Sequence, residues 1–528
     1  LQLEGSSVMA DRRDLILGID AGTSVIKAVA FDLEGRQLAI ASLPNSYEER
    51  PDGAVEQDMA RTWDDAAAVL RNLAELLPGL AARTRALAVT GQGDGTWLID
   101  EAAKQVRPGW LWLDSRAASL VEEMEAAGVP VAIFPHNGCG LNACQQSVHL
   151  RWMERHDPEA LATATTAFHC KDWLYLQLTG VRATDISEGT YTFGDFRKRE
   201  YAEPVLEALG LSAYRRLLPP MLDGSKTTHP LSEAAAAATG LPAGTPVSLG
   251  FLDVLCTALG GGIYDPNRQV GCSIVGSTGM HMRFIADAGA VKLAPKPTGY
   301  TMPFPVPGSV VQMQSNMAAT LNIDWITDIV REAAGLFGDA VSRGDALKML
   351  DGRVMEGKPG AALYHPYIHE AGERGPFVAS DARAMISGLS TRTQLLDLVR
   401  SVYEGLALAA RDCYGAMGHV PDEIRVAGGA ARSKAFKRIM ASALGKPLRE
   451  SSREEAGAAG AAMMAAVANG IYPDLAACAK AWVEPTLGDT VTPDPQLTAL
   501  YDKLYPIYVA TREAMPGNWR ALAELRRA

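Results

Sequence analysis

Asp20-Ala21-Gly22-Thr23-Ser24 closes a short apolar run, and a second run, Val25–Asp32, follows at once. A turn of this kind points backbone N–H groups at one spot, and the hydroxyls of Thr23 and Ser24 add donors, so it can cradle phosphate oxygens. Asp20, at the strand end, can hold Mg²⁺ through water, and Lys27 lies on the returning strand; an ordinary hairpin turn has the same composition. The turn is not GxxxxGK[ST]. It is not GxGxxG either, which removes the main support for a dinucleotide oxidoreductase. Gly276-Ser277-Thr278-Gly279 offers a second nest. Gly428-Gly429-Ala430 offers a third glycine turn, at a strand–helix junction suited to a ribose or adenine.

A polar and aromatic set stands apart from these turns. Gly91-Gln92-Gly93-Asp94 follows a strand-like run, and Trp110-Leu111-Trp112-Leu113-Asp114-Ser115-Arg116 comes soon after. Asp94, Asp114 and Arg116 can each make paired hydrogen bonds to vicinal hydroxyls, with tryptophan as an apolar wall. Arg116, just past an apolar run, also reads as a plain salt bridge. Asp253 stands alone in Ser248–Leu255 among apolar residues. A buried carboxylate needs a partner or a purpose, and here the readings are a general base or a helix N-cap. His365 and His369 have i,i+4 spacing, but Pro366 between them argues against a shared helix and a metal pair. His136, His149 and His169 read as structural or surface residues.

The elements that must position these groups are legible as short runs. Leu15–Asp20 and Val25–Asp32 read as a hairpin, Leu38–Leu43 as a third strand, Thr62–Leu77 as a helix and Ala86–Thr90 as a buried strand. Gln269–Val275 ends in a turn like that after Leu15–Asp20, which points to two halves of similar architecture with a boundary near residues 245–265. Thr393–Tyr414, Ser433–Leu444 and Glu454–Ala468 read as helices and Glu423–Ala427 as a strand. The small residues of EEAGAAGAAMMAAVA let that helix approach a neighbour or a ligand closely, although an ordinary Ala-rich helix has the same composition. Leu500–Ala528 reads as charged, helical and peripheral.

Composition bounds the rest. The chain has 528 residues, enough for two large domains or about three smaller ones. Hydrophobic residues make up 48% and charged residues 21%, which excludes a disordered or fibrous chain. No run reaches the roughly 18 apolar residues of a membrane helix. A formal net charge of -11 without a basic stripe argues against nucleic acid. Seven cysteines with no CxxC pair point to an intracellular, reduced protein. Residues 1–9 read as a non-native leader ending at Met9, with no signal-peptide pattern.

In this order the motifs resemble those of the FGGY carbohydrate kinases, over about residues 15 to 480. LGIDAGTSVIKAVAFD is similar to the family's first phosphate motif, AVEQDMARTW to its EQD segment and RPGWLWLDSR to its substrate-strand motif. FHCKDWLYLQLTG with TDISEG resembles its Lys-Asp signature and the segment after it. LGFLDVLCTALGGG resembles the segment that holds the catalytic Asp, and RVAGGAARSKAFKRIMASALGKPL with EEAGAAGAAMMAA its adenosine and second connecting motifs. GQGDGTWLID, HCKDWLYLQLTG and TFGDFR most resemble the family's erythritol kinases. Glycerol kinases carry Arg-Glu at Gly93-Asp94 and Tyr at Cys144, and xylulose kinases usually carry Met-His at Gly93-Asp94, which argues against both substrates. Ala430 replaces the third glycine of the adenosine turn.

The resemblance implies an α/β fold of two actin/hexokinase-like (ribonuclease H-like) domains flanking a catalytic cleft, residues 10–255 for substrate and 256–528 for ATP. It implies a cytoplasmic kinase for a small polyol, with erythritol first and ribitol, xylitol, xylulose, ribulose or glycerol as alternatives. A non-catalytic sugar- or nucleotide-binding regulator is a further one. By this resemblance Asp253 accepts the proton of the attacking hydroxyl. Gln92, Asp94, Trp112, Asp114 and Arg116 join it in binding substrate. Gly22, Thr23, Ser24, Lys27, Ser277, Thr278, Gly279, Gly428, Gly429, Ala430 and Ser433 bind ATP, and Asp20 holds Mg²⁺. Neither nucleic acid nor membrane is an expected partner, and a dimer is common in the family.

Overall fold

A computed structural model of the chain describes residues 13–527; the leader expected at residues 1–9 lies outside them. The first half opens with β1 (Leu15–Ala21), β2 (Val25–Asp32) and β3 (Gln37–Pro44), followed by helix α1 (Met59–Leu76) and strand β4 (Thr84–Gly91). Helices α2 (Cys170–Thr179) and α3 (Ile186–Phe193) precede β5 (Thr228–Pro230), β6 (Pro246–Leu249) and helix α4 (Asp253–Gly261). The sheet order is β5-β6-β4-β1-β2-β3. β1, β2 and β3 pair antiparallel, while β4 and β6 run parallel to β1. β1 is apolar along almost its whole length and buried on both faces, as a central strand covered on both sides must be. α1 begins three residues before the expected Thr62, because the Asp58 side chain caps it by accepting from Arg61 N–H at 2.9 Å.

The second half repeats the plan. β7 (Val270–Val275), β8 (Gly279–Ile285), β9 (Tyr300–Pro303), β10 (Val310–Asn316), β11 (Glu423–Ala427), β12 (Leu448–Ser451) and β13 (Leu487–Val491) form a sheet of order β9-β10-β8-β7-β11-β12-β13. β7, β8 and β10 pair antiparallel, and β11 and β12 run parallel to β7. Each sheet therefore contains three antiparallel strands followed by two parallel ones, with further antiparallel strands only at its edges, the duplication expected from the two Gly/Ser/Thr turns. Helices of this half include α5 (Leu395–Ala416), α6 (Lys434–Leu444), α7 (Ala456–Ala468), α8 (Pro495–Ala514) and α9 (Pro516–Arg527). α8 is not peripheral as its charge suggested: Tyr501 and Tyr508 are fully buried, and the Tyr501 hydroxyl donates to Glu404 at 2.8 Å.

Helix α7 belongs to the second half by sequence but lies on the first sheet and against α4. The contacts are backbone on backbone. A Cβ at Gly18 of β1 would meet the Ala458 carbonyl oxygen at 2.4 Å, and one at Gly260 of α4 the Ala456 oxygen at 2.1 Å. A Cβ at Gly460 would meet the Cys256 carbonyl oxygen at 1.9 Å. Neither backbone can yield without parting the helices, so Gly460→Ala is expected to destabilise the protein by about 1–3 kcal/mol or more. A thermal melt checks this, and an unchanged midpoint would refute the close crossing. No helix among the described residues is long and apolar enough to cross a membrane.

Candidate active site

β4 delivers Gln92-Gly93-Asp94 to the end of the first sheet. Gln92 is buried; its Oε1 accepts from the Thr23 hydroxyl at 3.0 Å and its Nε2 donates to Gln57 at 2.9 Å. Trp112 Nε1 donates to the same Thr23 hydroxyl at 2.7 Å. One hydrogen-bonded chain thus joins the first glycine turn to two residues expected to bind substrate. Asp94 takes a left-handed φ of 55°, a conformation open to Asp at modest cost. Its N–H donates to Glu188 Oε1 at 3.2 Å, and its carboxylate accepts from the Tyr191 hydroxyl and, at 3.7 Å, from Cys144 Sγ. Desolvation raises the Asp94 pKa, opposed by the Tyr191 bond and the His169 charge.

Asp114 and Arg116 sit differently. Asp114 is buried, and its oxygens are used by the Val55 N–H at 2.9 Å and by Arg116. Arg116 bonds Asp114 at 2.7 Å and Glu56 at 2.9 Å, and its guanidinium lies 3.5 Å from the Trp110 ring centroid. The pair is saturated by the protein and braces the loop that carries Trp112, which is 40% exposed.

Asp253 is the first residue of α4, with Leu252 at the cap position. The Val254 N–H donates to Asp253 Oδ1 at 2.6 Å, leaving Oδ2 without a hydrogen bond among the described residues. Desolvation, reinforced by the charges of Asp20 and Glu188, pushes the Asp253 carboxyl up to about 8. Asp20 is pushed up to about 6 by desolvation, with Lys27 opposing. Its carboxylate rests on bare helix backbone, because a Cβ at Gly457 would meet Asp20 Oδ2 at 2.4 Å. Lys27 pairs with Glu455 at 2.8 Å, so Asp20 and Lys27 of the first half meet the start of α7 from the second.

The other two turns lie on the second sheet. Ser277 and Thr278 are exposed at the β7–β8 turn, while Gly279 is buried at the start of β8. Gly428 has φ 90°, and a Cβ there would meet the Val275 carbonyl oxygen at 2.6 Å, which requires glycine; Gly429 faces open space. Ala430 is buried. The Ser433 hydroxyl accepts from Phe436 N–H at 2.9 Å as the cap of α6 and donates to Asp351, so it is engaged before any nucleotide arrives. Gly22 bonds Val25 across the β1–β2 turn, N to O at 3.1 Å, and Ser24 is exposed.

Several residues around this site carried no assignment from sequence. Lys171, Asp172, Asp185 and Glu188 are fully buried together. Lys171 Nζ lies 2.9 Å from Asp172, 2.8 Å from Asp185 and 3.4 Å from Glu188. His169 lies within 3.2 Å of Asp172 and 3.1 Å of Glu188. Burial drives Glu188 up to about 7, while for Asp172 the Lys171 and His169 contacts overcome burial and hold it down to about 2. Asp185 accepts from the Ser187 hydroxyl, which accepts from Leu252 N–H at 3.2 Å. The cluster therefore grips the residue before Asp253 on one side and, through Glu188, the Asp94 backbone on the other. A Cβ at Gly93 would strike the Leu252 side chain at 1.7 Å, so these two loops of the site lie tightly together. The signal was Lys171-Asp172 inside the apolar run FHCKDWLYL: charges so placed must be paired. Among the described residues no group of three or more His, Cys, Asp or Glu could hold a metal ion by itself.

Two family models match the chain. The N-terminal domain of the FGGY family of carbohydrate kinases matches residues 15–260, and its C-terminal domain matches residues 271–469. The chain is 53% identical over 519 residues to an erythritol kinase of Brucella abortus, covering 98% of this chain and 99% of that protein. It is 27% identical over 510 residues to the L-xylulose/3-keto-L-gulonate kinase of Escherichia coli, covering 95% of this chain and 97% of that one. In structure it is similar to a xylulose kinase from Rhodospirillum rubrum, with a TM-score of 0.86 and 27% identity over 96% of this chain and 100% of that chain. Two duplicated actin/hexokinase-like halves, near-complete coverage by both domain models and majority identity to one kinase lead to one conclusion: the chain belongs to the FGGY family of carbohydrate kinases, enzymes that use ATP.

Proposed function

We propose that this kinase transfers the γ-phosphoryl group of ATP to a terminal hydroxyl of erythritol, with Asp253 as general base. The chemistry rests on Asp253, a desolvated carboxylate at a helix start whose Oδ2 has no hydrogen-bond partner among the described residues. The choice of erythritol rests on the 53% identity to the Brucella abortus enzyme of that name. In this reading residues 10–255 hold the polyol and residues 256–528 the nucleotide, and the seven unpaired cysteines suit the reducing cytoplasm.

Asp94, Gln92 and Trp112 line the polyol, while Asp114 and Arg116 brace the Trp112 loop. The turns at Gly22–Ser24 and Ser277–Gly279 offer backbone N–H groups and hydroxyls to the phosphates, with Lys27 beside the first. Gly428–Ala430 border the adenosine, and Ser433 anchors the helix behind them. Asp20 suits a Mg²⁺ ion, which usually takes one or two carboxylates with water and phosphate oxygens; its carboxylate is partly desolvated and lies on the side-chain-free backbone of Gly457. Bound there, the ion would neutralise phosphate charge. Asp253 takes the proton from the hydroxyl as it attacks; positioning and charge do most of the remaining work.

A panel of erythritol, glycerol, ribitol, xylitol, xylulose and ribulose, read by ADP release, tests the substrate. Erythritol is expected to lead in kcat/KM by about tenfold or more. A different leader would overturn the erythritol assignment, and no turnover of any of the six would overturn the polyol reading.

A further inference from the structure

The Asp94 end of the site is walled from the second half. Gly140 N–H donates to the Gly299 carbonyl at 2.9 Å, and Asn142 Nδ2 donates to the Tyr300 hydroxyl at 2.9 Å, which ties the halves together across their seam. Tyr300 lies edge-on to Tyr191, ring centroids 6.0 Å apart, and Tyr191 bonds Asp94. A cavity of about 40 Å³ opens along this seam, lined by Gly140, Asn142, Tyr300, Ser315 and Arg374. It has room for the end of a small ligand and none for a nucleotide.

Arg374 is held there by a built support. Buried Glu373 accepts the N–H groups of Met317 and Arg374 at 2.9 Å and of Gly375 at 3.4 Å. Asn316 Nδ2 donates to the Gly375 carbonyl at 2.7 Å, and a Cβ at Gly375 would meet the Ser315 oxygen at 2.6 Å, which keeps the loop tight on β10. Arg374 Nε donates to Ser315 Oγ at 2.9 Å. Its two terminal nitrogens have no hydrogen-bond partner among the described residues, yet its charge acts on Asp94, Cys144 and Tyr300. A half-buried guanidinium with free N–H groups on the wall of this cavity is a donor set matched to a ligand hydroxyl.

We propose that Arg374 is a specificity-determining residue: from the nucleotide half it closes the Asp94 end of the polyol site and donates to the hydroxyl furthest from the reacting one, setting the chain length accepted. The inference rests on the reading of Asp94 as a polyol ligand, and the test separates the two. Steady-state kinetics with erythritol and ribitol are compared for the parent, Arg374→Met, Arg374→Lys and Asp94→Ala. For Arg374→Met the erythritol KM is expected to rise about tenfold, the loss of one charge-assisted hydrogen bond, with a much smaller change in kcat. The preference for erythritol over ribitol should narrow by a similar factor, and Arg374→Lys should recover part of both. A merely structural role would lower active enzyme without moving KM or the preference. If Arg374→Met does not fold, Arg374→Gln, which keeps a donor near Ser315, replaces it. If Asp94→Ala raises the erythritol KM and the Arg374 variants leave KM and preference unchanged, this inference fails alone. If Asp94→Ala leaves KM unchanged too, the reading of the polyol site falls with it.

Discussion

Asp253→Asn is expected to bind ATP as the parent does and to lose polyol phosphorylation by about 10²–10⁴-fold, the range that a positioned general base contributes. Asn keeps the shape and the bond from Val254 N–H but cannot take a proton. The parent's kcat/KM should climb with pH until Asp253 is ionised, at about 8 in the chain without ligands; the variant's residual rate should lack that rise. Stability should move the other way. The folded carboxyl holds its proton to about pH 8, against an ordinary value of 3.8, so between those values the folded state binds more protons than the unfolded one. The contribution of Asp253 to stability therefore falls as pH rises through this window. The variant escapes that loss and should melt above the parent at pH 8, with the gap closing toward pH 4. Calorimetric ATP titration, pH-rate profiles and paired melts check the three parts. Parent-like turnover in the variant would remove Asp253 from the base role.

Lys171→Met is the substitution expected to do most harm to the fold. Lys171, Asp172, Asp185 and Glu188 are all fully buried, and the ammonium faces three carboxylates within 3.4 Å. Removing one partner of a buried ionic group leaves uncompensated charge, at a cost of about 3–5 kcal/mol. Lys171 opposes the upward push of burial on Glu188, so with Lys171 gone Glu188 holds its proton more tightly in the folded chain than in the unfolded one, and stability should be regained as pH falls. Glu188, already at about 7 in the parent, should be the first to respond. Melts of the variant from pH 8 to pH 6 would show the midpoint rising. A variant that melts like the parent at pH 8 would show that the cluster does not depend on its cation. Because the cluster reaches Leu252 through Ser187 and Asp94 through Glu188, lost activity in any folded fraction would report displacement of Asp253 or of Asp94.

The strands and glycine turns could be read from sequence because their signal is local. A short apolar run ending in Asp-Ala-Gly-Thr-Ser needs no distant partner to be a strand and a turn, and Val25–Asp32 and Glu423–Ala427 are strands with those bounds. Asp94 could be noticed because glycines enclose it. Partnerships are different, since they are made across the fold. Asp114 and Arg116 read from sequence as free to meet a ligand, but Val55 and Glu56, distant in sequence, bond them, and Arg116 lies on the nearby Trp110 ring. Arg374 carries no local mark at all; its place in the seam cavity with Asn142 and Tyr300 exists only when the two halves meet. The charges of helix α8 suggest a peripheral place, although Leu497, Tyr501 and Tyr508 repeat at the spacing of one helical face, and all three are buried.

The helix of the second half that lies on the first sheet has a mechanical meaning. Helices normally lock by setting side-chain ridges into grooves, so turning one on another means repacking rotamers. Where α7 crosses α4, glycine and alanine leave no ridges, and main chain lies directly on main chain. Such a joint resembles a plain bearing: it holds the distance between two bodies while resisting rotation little. The same residues that make an added methyl at Gly460 so costly leave this crossing with few interlocked side chains that a rotation would have to repack.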